Sequence, residues 1–388
     1  MRLTTDDHCI AGNISKERGF SIIELLVVMT IFAIIMAVSA SVFTNILGES
    51  KRQAKIGEAQ LESTVGLETL RSDIEHAGYG LPQSFQNASQ IIYAEANVMP
   101  GTDPANSLND SPSGVPRAIL GDPIAVNIAG SAYLAIKAAN VAMNAQSQAW
   151  IQVGPQGAIV GLPAGQGSDR PQAGEGVIVL NPQSGSNYRQ LIMNGNQFSV
   201  AYTEPLSALY SPTAQISQNQ TYIVYGIDNA APLRMPFNRA DYFISLAGVP
   251  SNCATGTGVL TKNTVNHVGG ALNAIPLIDC VADFQVFFGL DTNNDGVIEF
   301  YTPDIVVANP LSPQQIRDQV KEVRVYLLLH EGRRDPSFTF NNFTGGGTSV
   351  RVGEPSFGFR NFNLAPIANY LNYRWKLVTL VVTPKNLK

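Results

Sequence analysis

Residues 19–47 read GFSIIELLVVMTIFAIIMAVSASVFTNIL, a long apolar run that follows the short basic segment KER at 16–18. From Leu25 to Leu47 the run contains no ionisable side chain. About 20 apolar residues are enough for a helix to cross the hydrocarbon core of a bilayer. We therefore predict a membrane-spanning helix, with the short N-terminal piece on the cytoplasmic side and the bulk of the chain on the other side.

Two other interpretations of this run exist. A cleaved secretory signal would use small residues such as those at 39–41 (SAS), but its apolar region is usually about 7 to 15 residues long. An ordinary membrane anchor does not explain Glu24, because a carboxylate within a membrane helix is costly and needs a partner. A free amino group made by cleavage between Gly19 and Phe20 would be the nearest candidate cation, four residues before Glu24.

The order of a basic flank, Gly19 and then FSIIELLVV at 20–28 resembles the N-terminal signature of the type IV pilin family. The resemblance implies that prepilin peptidase cuts after Gly19 and that Phe20 becomes N-methylphenylalanine. It also implies that Glu24 pairs with the amino terminus of a neighbouring subunit, since a buried charge is tolerated only when it is paired. The leader at 1–19 is longer than the family's short form, so either the start lies too far upstream or the long-leader form applies.

The helix is predicted to continue through a polar stretch as far as residue 77. Leu67, Leu70, Ile74 and Ala77 fall on one face at helical spacing, which indicates an amphipathic half that packs on the following domain. The turn AGYGLP at 77–82 ends the helix, because glycine adopts the left-handed cap and proline cannot continue.

Three glycines, Gly48, Gly57 and Gly66, interrupt this predicted helix. Each lowers helix propensity by up to about 1 kcal/mol. They indicate either a loose or closely packed helix, or a helix that melts locally when subunits pack in a filament.

Strand signals recur after residue 176, as short β-branched and aromatic runs between turn residues. They are VIVL at 177–180, FSVAYT at 198–203, TYIVYGI at 221–227, DYFISLA at 241–247, DFQVFFGL at 283–290, VRVYLLL at 323–329 and WKLVTLVV at 375–382. This pattern favours an antiparallel sheet. The predicted fold class is α+β: a leader at 1–19, a long helix at 20–77 whose segment 20–47 is transmembrane, and a β-rich head at 78–388 with loop insertions at 83–176.

Three further segments resemble the PilW-type minor pilins: RSDIEHAGYGLP at 71–82, LRMPFNRADY at 233–242, and CVADFQV at 280–286 with the turn and the Arg324 strand that follow. The resemblance is absent over 83–176. It implies a minor pilin that is inserted in the inner membrane and then helps to initiate or cap a type IV pilus at the cell surface. Its partners would be other pilins, prepilin peptidase, the inner-membrane assembly platform and a tip adhesin.

Two rival functions remain open at this point. A pseudopilin of type II secretion shares the N-terminal signature, and the head could instead be an adhesive module displayed on a pilin helix. The formal net charge of −5 argues against nucleic-acid binding as the main activity. The chain has no GxSxG, P-loop or dinucleotide motif and its four histidines are scattered, so no enzyme is predicted.

A run of oxygen-bearing residues follows the strand at 283–290 and resembles a calcium loop, with Gly296 at the sharp turn. The candidate ligands at alternate positions are Asp291, Asn293, Asp295, the Val297 carbonyl and Glu299. The last position holds Thr302 instead of glutamate, so Asp304 or a distant carboxylate would have to complete the shell. The same residues also fit a plain hairpin turn with positive φ angles.

Of the three cysteines, Cys9 lies in the leader, which leaves Cys253 and Cys280. In an oxidising compartment this pair predicts a disulfide that closes a loop of about 27 residues and contributes about 3 kcal/mol. Two buried thiols are the alternative.

Overall fold

The computed structural model describes residues 21–96, 108–123, 127–160, 170–184, 187–212 and 220–387. The chain divides into two compact units, Met1–Lys55 and Ile56–Lys388. Gly19 and Phe20, the predicted cleavage and methylation positions, lie outside the described residues.

Helix α1 spans Ile22–Glu75, 54 residues, against the predicted range of 20–77. The segment contains no proline, and leucine, alanine and glutamate, which have high helix propensity, recur along it. In the first unit, its stretch Ile22–Thr44 is long and apolar enough to cross a membrane, with a mean hydropathy of 2.7, and its side chains are exposed.

The last turns of α1 belong to the second unit and pack on the β-rich head. Leu70, Ile74 and Ala77 are fully buried in the main hydrophobic core, and Leu67 packs against it. Burying a leucine or isoleucine side chain stabilises the fold by about 1.5–3 kcal/mol. The predicted apolar stripe and the α+β fold class are therefore confirmed.

The head contains seventeen described strands and a second helix, α2, at Pro313–Gln319. The strands are β1 (Ser84–Phe85), β2 (Ile119–Asp122), β3 (Tyr133–Ala138), β4 (Trp150–Val153), β5 (Ile159–Val160), β6 (Gly176–Ser184), β7 (Asn187–Leu191), β8 (Val200–Ala201), β9 (Tyr222–Asp228), β10 (Asn238–Ser245), β11 (Gly258–Val265), β12 (Leu272–Leu290), β13 (Phe300–Thr302), β14 (Val320–Glu331), β15 (Ser349–Glu354), β16 (Gly358–Asn363) and β17 (Arg374–Val382).

The main sheet has eight described strands in the order β17-β14-β12-β11-β10-β3-β2, with β13 paired to β12. All of its pairings are antiparallel. A second sheet has the order β1-β7-β6-β9-β4-β5, with β8 paired to β6, and its β1–β7 pairing is parallel. Strands β15 and β16 form a separate hairpin that covers a smaller apolar cluster on the main sheet.

The prediction that 83–176 is a set of loop insertions is wrong for the part of it that forms strands. β2 and β3 belong to the main sheet, and β3 is buried along its whole length. This segment gave no strand signal because it contains alanine and Lys137, which is an unusual residue for a core. Its ammonium is neutralised by Glu95 at 2.8 Å and Asp110 at 2.5 Å, partners that are distant in the chain.

The structure also differs from the prediction in the bounds of two strands and in having helix α2, which was not predicted. The predicted strand at 283–290 is the second half of the 19-residue β12, whereas only Val200–Ala201 of the predicted 198–203 forms a strand. Helix α2 begins at a capping box, in which Ser312 and Gln315 bond each other's backbone N–H groups.

Candidate functional site

Glu24 lies in the first turn of α1, where a carboxylate is favoured by the positive end of the helix dipole. Its carboxylate accepts a hydrogen bond from the backbone N–H of Ser21 at 3.0 Å, and both groups are exposed. The neighbouring apolar side chains, including Ile22 and Ile23, are also exposed. An exposed apolar helix with one carboxylate near its start can enter a bilayer or a bundle of similar helices, provided that the carboxylate finds a cation.

The other end of α1 is held to the head by a buried ion pair that was not among the predicted site residues. Asp73 forms an ion pair with Lys262 of β11 at 2.5 Å and accepts a hydrogen bond from the Tyr242 hydroxyl of β10. Burial raises the pKa of Asp73 and lowers that of Lys262, while the attraction between the two charges opposes both shifts. The motif at 71–82 could have indicated this role, because it places Asp73 next to the apolar residues that pack on the head.

Gly66 marks the closest approach of α1 to β12. A β-carbon at this position would lie 2.5 Å from the carbonyl oxygen of Leu277. Of the two interpretations of the helix glycines, close packing therefore applies at Gly66. Gly48 and Gly57 lie in the part of α1 whose side-chain surroundings are not described.

The predicted calcium residues lie in the hairpin loop that joins β12 to β13. The two strands are antiparallel, and Leu290 pairs with Phe300 at the base of the loop. Carboxylate oxygens of Asp291, Asp295 and Glu299 all lie within 4.8 Å of one another. Asp291 is buried, whereas the other two are exposed. Three convergent carboxylates form a site of the hard-oxygen type that calcium prefers.

The same oxygens also accept hydrogen bonds from the loop's own backbone. Asp291 accepts from the N–H groups of Asp295 and Gly296 at 3.2 and 3.0 Å, and Glu299 accepts from Thr292 at 2.7 Å. Asn293 accepts from Asp295 at 2.9 Å. The turn requires positive φ angles at Asn294 (60°) and Gly296 (90°), as the hairpin interpretation predicts.

The residues considered for completing a calcium shell serve other partners. The carboxylate of Asp304 accepts from the backbone N–H groups of residues 306–308 at 2.7–2.8 Å. The hydroxyl of Thr302 donates to the Asp304 carbonyl at 3.1 Å. The ammonium of Lys321 lies 3.9 Å from Asp291 and is the described cation that would compete with a metal there.

Cys253 and Cys280 are joined by a disulfide, with α-carbons 4.9 Å apart. Cys280 is buried in β12, and Cys253 lies in the turn before β11. The next residue, Ala254, donates its N–H to Nε2 of the buried His330 at 2.9 Å. The disulfide therefore belongs to a packed corner of the head and has no exposed reactive thiol.

Comparison with known families gives two matches. Residues 14–40 match the family described as "Prokaryotic N-terminal methylation motif", and residues 242–386 match "Type IV Pilus-assembly protein W". Among solved structures, a type IV-like pilin from Thermus thermophilus is similar, with 15% identity over 39% of this chain and 80% of that chain. Its TM-score is 0.22, and a likeness at this level adds nothing to the fold described above. No curated protein matches the chain.

The exposed apolar helix, its single early carboxylate and the methylation-motif match define a type IV pilin-like protein. The match over residues 242–386 covers most of the main sheet, so the chain combines a prepilin motif with a PilW domain. Pilins of this kind are structural proteins that interact with other pilins and with the pilus assembly machinery.

Proposed function

We propose that this PilW-like pilin helps to initiate or cap the assembly of a type IV pilus. The observation that carries the proposal is the combination of a membrane-length helix with exposed apolar side chains and a large head. A large head is tolerated at the tip of a filament, because a subunit there is not surrounded by neighbours that would limit the width of its head. The protein acts as a structural subunit and not as an enzyme.

The N-terminal segment would perform this role in two stages. Before assembly, the span at Ile22–Thr44 holds the subunit in the inner membrane with its head in the periplasm. Prepilin peptidase then cuts after Gly19 and methylates Phe20. On assembly, the helix exchanges lipid for the apolar helices of neighbours, and Glu24 pairs with a neighbour's amino terminus, which sets the axial register.

The processing step is tested by mass spectrometry of the protein purified from its native membranes. We expect a chain that begins at N-methylated Phe20. An intact Met1, or an N-terminus near Ser41, would contradict the proposed pathway.

The assembly step is tested by deleting the gene and counting surface pili and twitching motility. We expect both to fall, and to be restored by the wild-type gene but not by Glu24→Gln. The control is Glu68→Gln, which removes the same charge from an exposed position of the same helix. Normal piliation and twitching in the deletion strain would refute the assembly role.

The two rival functions make different predictions. A type II secretion pseudopilin would be encoded beside secretion genes, and its loss would impair secretion and leave pili intact. An adhesive module would leave piliation intact but reduce attachment of piliated cells to surfaces.

We also propose that the β12–β13 loop binds calcium through Asp291, Asn293, Asp295, the Val297 carbonyl and Glu299. The convergence of three carboxylates within 4.8 Å supports the proposal. Calcium would replace the internal N–H bonds of the loop and stiffen the head at extracellular calcium concentrations.

Calorimetry of the detergent-solubilised full chain tests this second proposal. We expect heat of binding and a raised melting temperature with calcium, and loss of both in Asp295→Asn. The control Glu331→Gln, at a surface ion pair with Lys376, should bind calcium as the wild type does. The absence of both heat and a melting shift in the wild type would refute the calcium site.

A further inference from the structure

A cleft of about 800 Å³ opens in the second unit, and none of the residues that line it is a candidate calcium ligand. It lies where the turn after α1 meets β6, β7, β9 and helix α2. Sites for small molecules in proteins have volumes of about 300–1,000 Å³. The cleft is therefore large enough for a ligand of one or two rings.

Two arginines, Arg189 of β7 and Arg317 of α2, line both this cleft and a small adjoining cavity of about 10 Å³. Arg189 donates a hydrogen bond to the Gly78 carbonyl at 3.0 Å. Arg317 forms no hydrogen bond and no ion pair within 4.0 Å with any residue in the described ranges. Burial lowers the pKa of Arg317, the charge of Asp318 opposes this shift, and the charge of Arg189 adds to it. Asp318 also lines the cleft, so the wall carries two guanidinium groups and one carboxylate, a net positive charge that favours an anion.

The backbone at Arg189 supports a role beyond packing. Its φ angle is +42°, in the left-handed region that residues other than glycine rarely adopt. Residues other than glycine that adopt such a conformation are concentrated at functional sites. Here it occurs at the residue that carries one of the two cleft cations.

The remaining walls suit a ring with hydroxyl groups. Tyr79, Tyr188 and Tyr225 line the cleft, and the rings of Tyr79 and Tyr225 meet edge to face with centroids 5.4 Å apart. Tyr188 is exposed, so one aromatic face is available to a ligand. Tyrosine combines an apolar face with a hydroxyl. Side-chain amides, from Gln83 and Gln314, supply both hydrogen-bond donors and acceptors.

We propose that this cleft binds an acidic saccharide, with the carboxylate of a uronic or sialic acid held between Arg189 and Arg317. Guanidinium groups bind planar carboxylates in bidentate geometry, which gives both affinity and orientation. A small inorganic anion would leave the aromatic walls uncovered, and a neutral sugar would leave the Arg317 guanidinium without an anionic partner. This binding does not depend on the assembly role proposed above.

Calorimetry with the detergent-solubilised full chain tests the saccharide site. The probes are sodium glucuronate and N-acetylneuraminate, with glucose, inorganic phosphate and a polyglutamate peptide for comparison. We expect both acidic sugars to bind about tenfold or more tightly than the three comparison ligands. We expect Arg317→Met to weaken glucuronate binding by a similar factor, because it removes the bidentate contact.

Arg333→Met is the matched control, since Arg333 is an exposed arginine outside the cleft, and it should bind glucuronate as the wild type does. If Arg317→Met does not fold, Arg317→Lys can replace it. Lysine keeps the charge but cannot form the bidentate contact with a carboxylate, so this variant should also weaken glucuronate binding. Glucose, phosphate or polyglutamate binding as tightly as glucuronate would overturn the saccharide assignment. So would the absence of heat with both acidic sugars, or unchanged binding in a folded Arg317 variant.

Discussion

Gly66 sits at the point where helix α1 comes nearest to the main sheet, and a β-carbon there would lie 2.5 Å from a backbone oxygen of β12. Alanine has the higher helix propensity, by about 1 kcal/mol, so helix formation alone favours replacing this glycine. Contact with a carbonyl oxygen opposes the replacement, because a backbone atom of a paired strand cannot move aside as a flexible side chain can. The contact should decide the outcome.

We predict that Gly66→Ala destabilises the protein by about 1–3 kcal/mol, the usual cost of overpacking. The measurement is chemical unfolding of the full chain in detergent. Val65→Ala, at the exposed neighbouring position, serves as the control and should change stability by less than about 0.5 kcal/mol. A gain in stability on Gly66→Ala would show that α1 does not approach β12 this closely.

His330 is a second residue whose surroundings determine its behaviour. It is buried between the rings of Tyr373 and Trp375, with centroids 4.5 and 5.2 Å away, and its Nε2 accepts the N–H of Ala254. Burial lowers the pKa of His330 to about 4. The folded state therefore keeps the ring neutral, while the unfolded chain takes up a proton below about pH 6.5.

We predict that this group makes the protein less stable as the pH falls from 6.5 towards 4, by about 2 kcal/mol at pH 5. Between pH 7 and pH 5, the free energy of unfolding of His330→Gln should fall by about 2 kcal/mol less than that of the wild type. The measurement is the free energy of unfolding at the two pH values. Parallel pH profiles for His330→Gln and the wild type would contradict the prediction.

At the scale of elements, the junction between α1 and the main sheet combines an apolar stripe with one buried ion pair. Leu70 and Ile74 supply most of the burial, whereas Asp73 and Lys262 fix the position of the helix along β10 and β11. A buried pair contributes little net stability, but the loss of one partner leaves an uncompensated charge in the core. The pair should therefore behave non-additively on mutation.

We predict that Asp73→Leu destabilises the head by about 3–5 kcal/mol, because Lys262 is left buried without its counter-charge. The double variant Asp73→Leu, Lys262→Met should recover most of this loss, since two apolar side chains can replace the pair. A double-mutant cycle measured by chemical unfolding gives both values. Additive losses in the double variant would mean that the two side chains do not interact.

At the scale of the whole molecule, the chain consists of a helical unit suited to lipid and a β-rich unit with its own core. The side chains of Ile22–Thr44 are not buried within the protein, so their apolar surface must be covered by lipid or by other helices. Because a helix satisfies its own backbone hydrogen bonds, the span needs no help from the head to enter a bilayer.

We predict that the full chain stays in the membrane pellet after alkaline carbonate extraction. Ile31→Lys combined with Ile35→Lys should release it into the supernatant, because each lysine costs about 2.5–3.5 kcal/mol at the centre of a membrane helix. The matched control is Ile31→Leu with Ile35→Leu, which keeps the hydropathy and should remain in the pellet. Extraction of the wild type by carbonate would contradict the membrane assignment.

The elements that depend on local pattern could be predicted from the amino-acid sequence. The apolar run, Glu24 and the stripe from Leu67 to Ala77 define α1 and its buried face through spacing alone, and the β-branched runs after residue 176 indicate the antiparallel strands. For the candidate calcium loop, the sequence determines the order of the ligands, and folding brings three of the carboxylates within 4.8 Å.

Only the tertiary structure decided the features that depend on partners distant in the chain. Strand β3 could not be predicted, because the burial of Lys137 is possible only beside Glu95 and Asp110, which folding brings to it. The same holds for the pairing of Asp73 with Lys262 and for the cleft between Arg189 and Arg317. The spacing of residues predicts which face of a helix or strand a side chain lies on. The charged groups that surround this side chain depend on how the topology brings distant segments together.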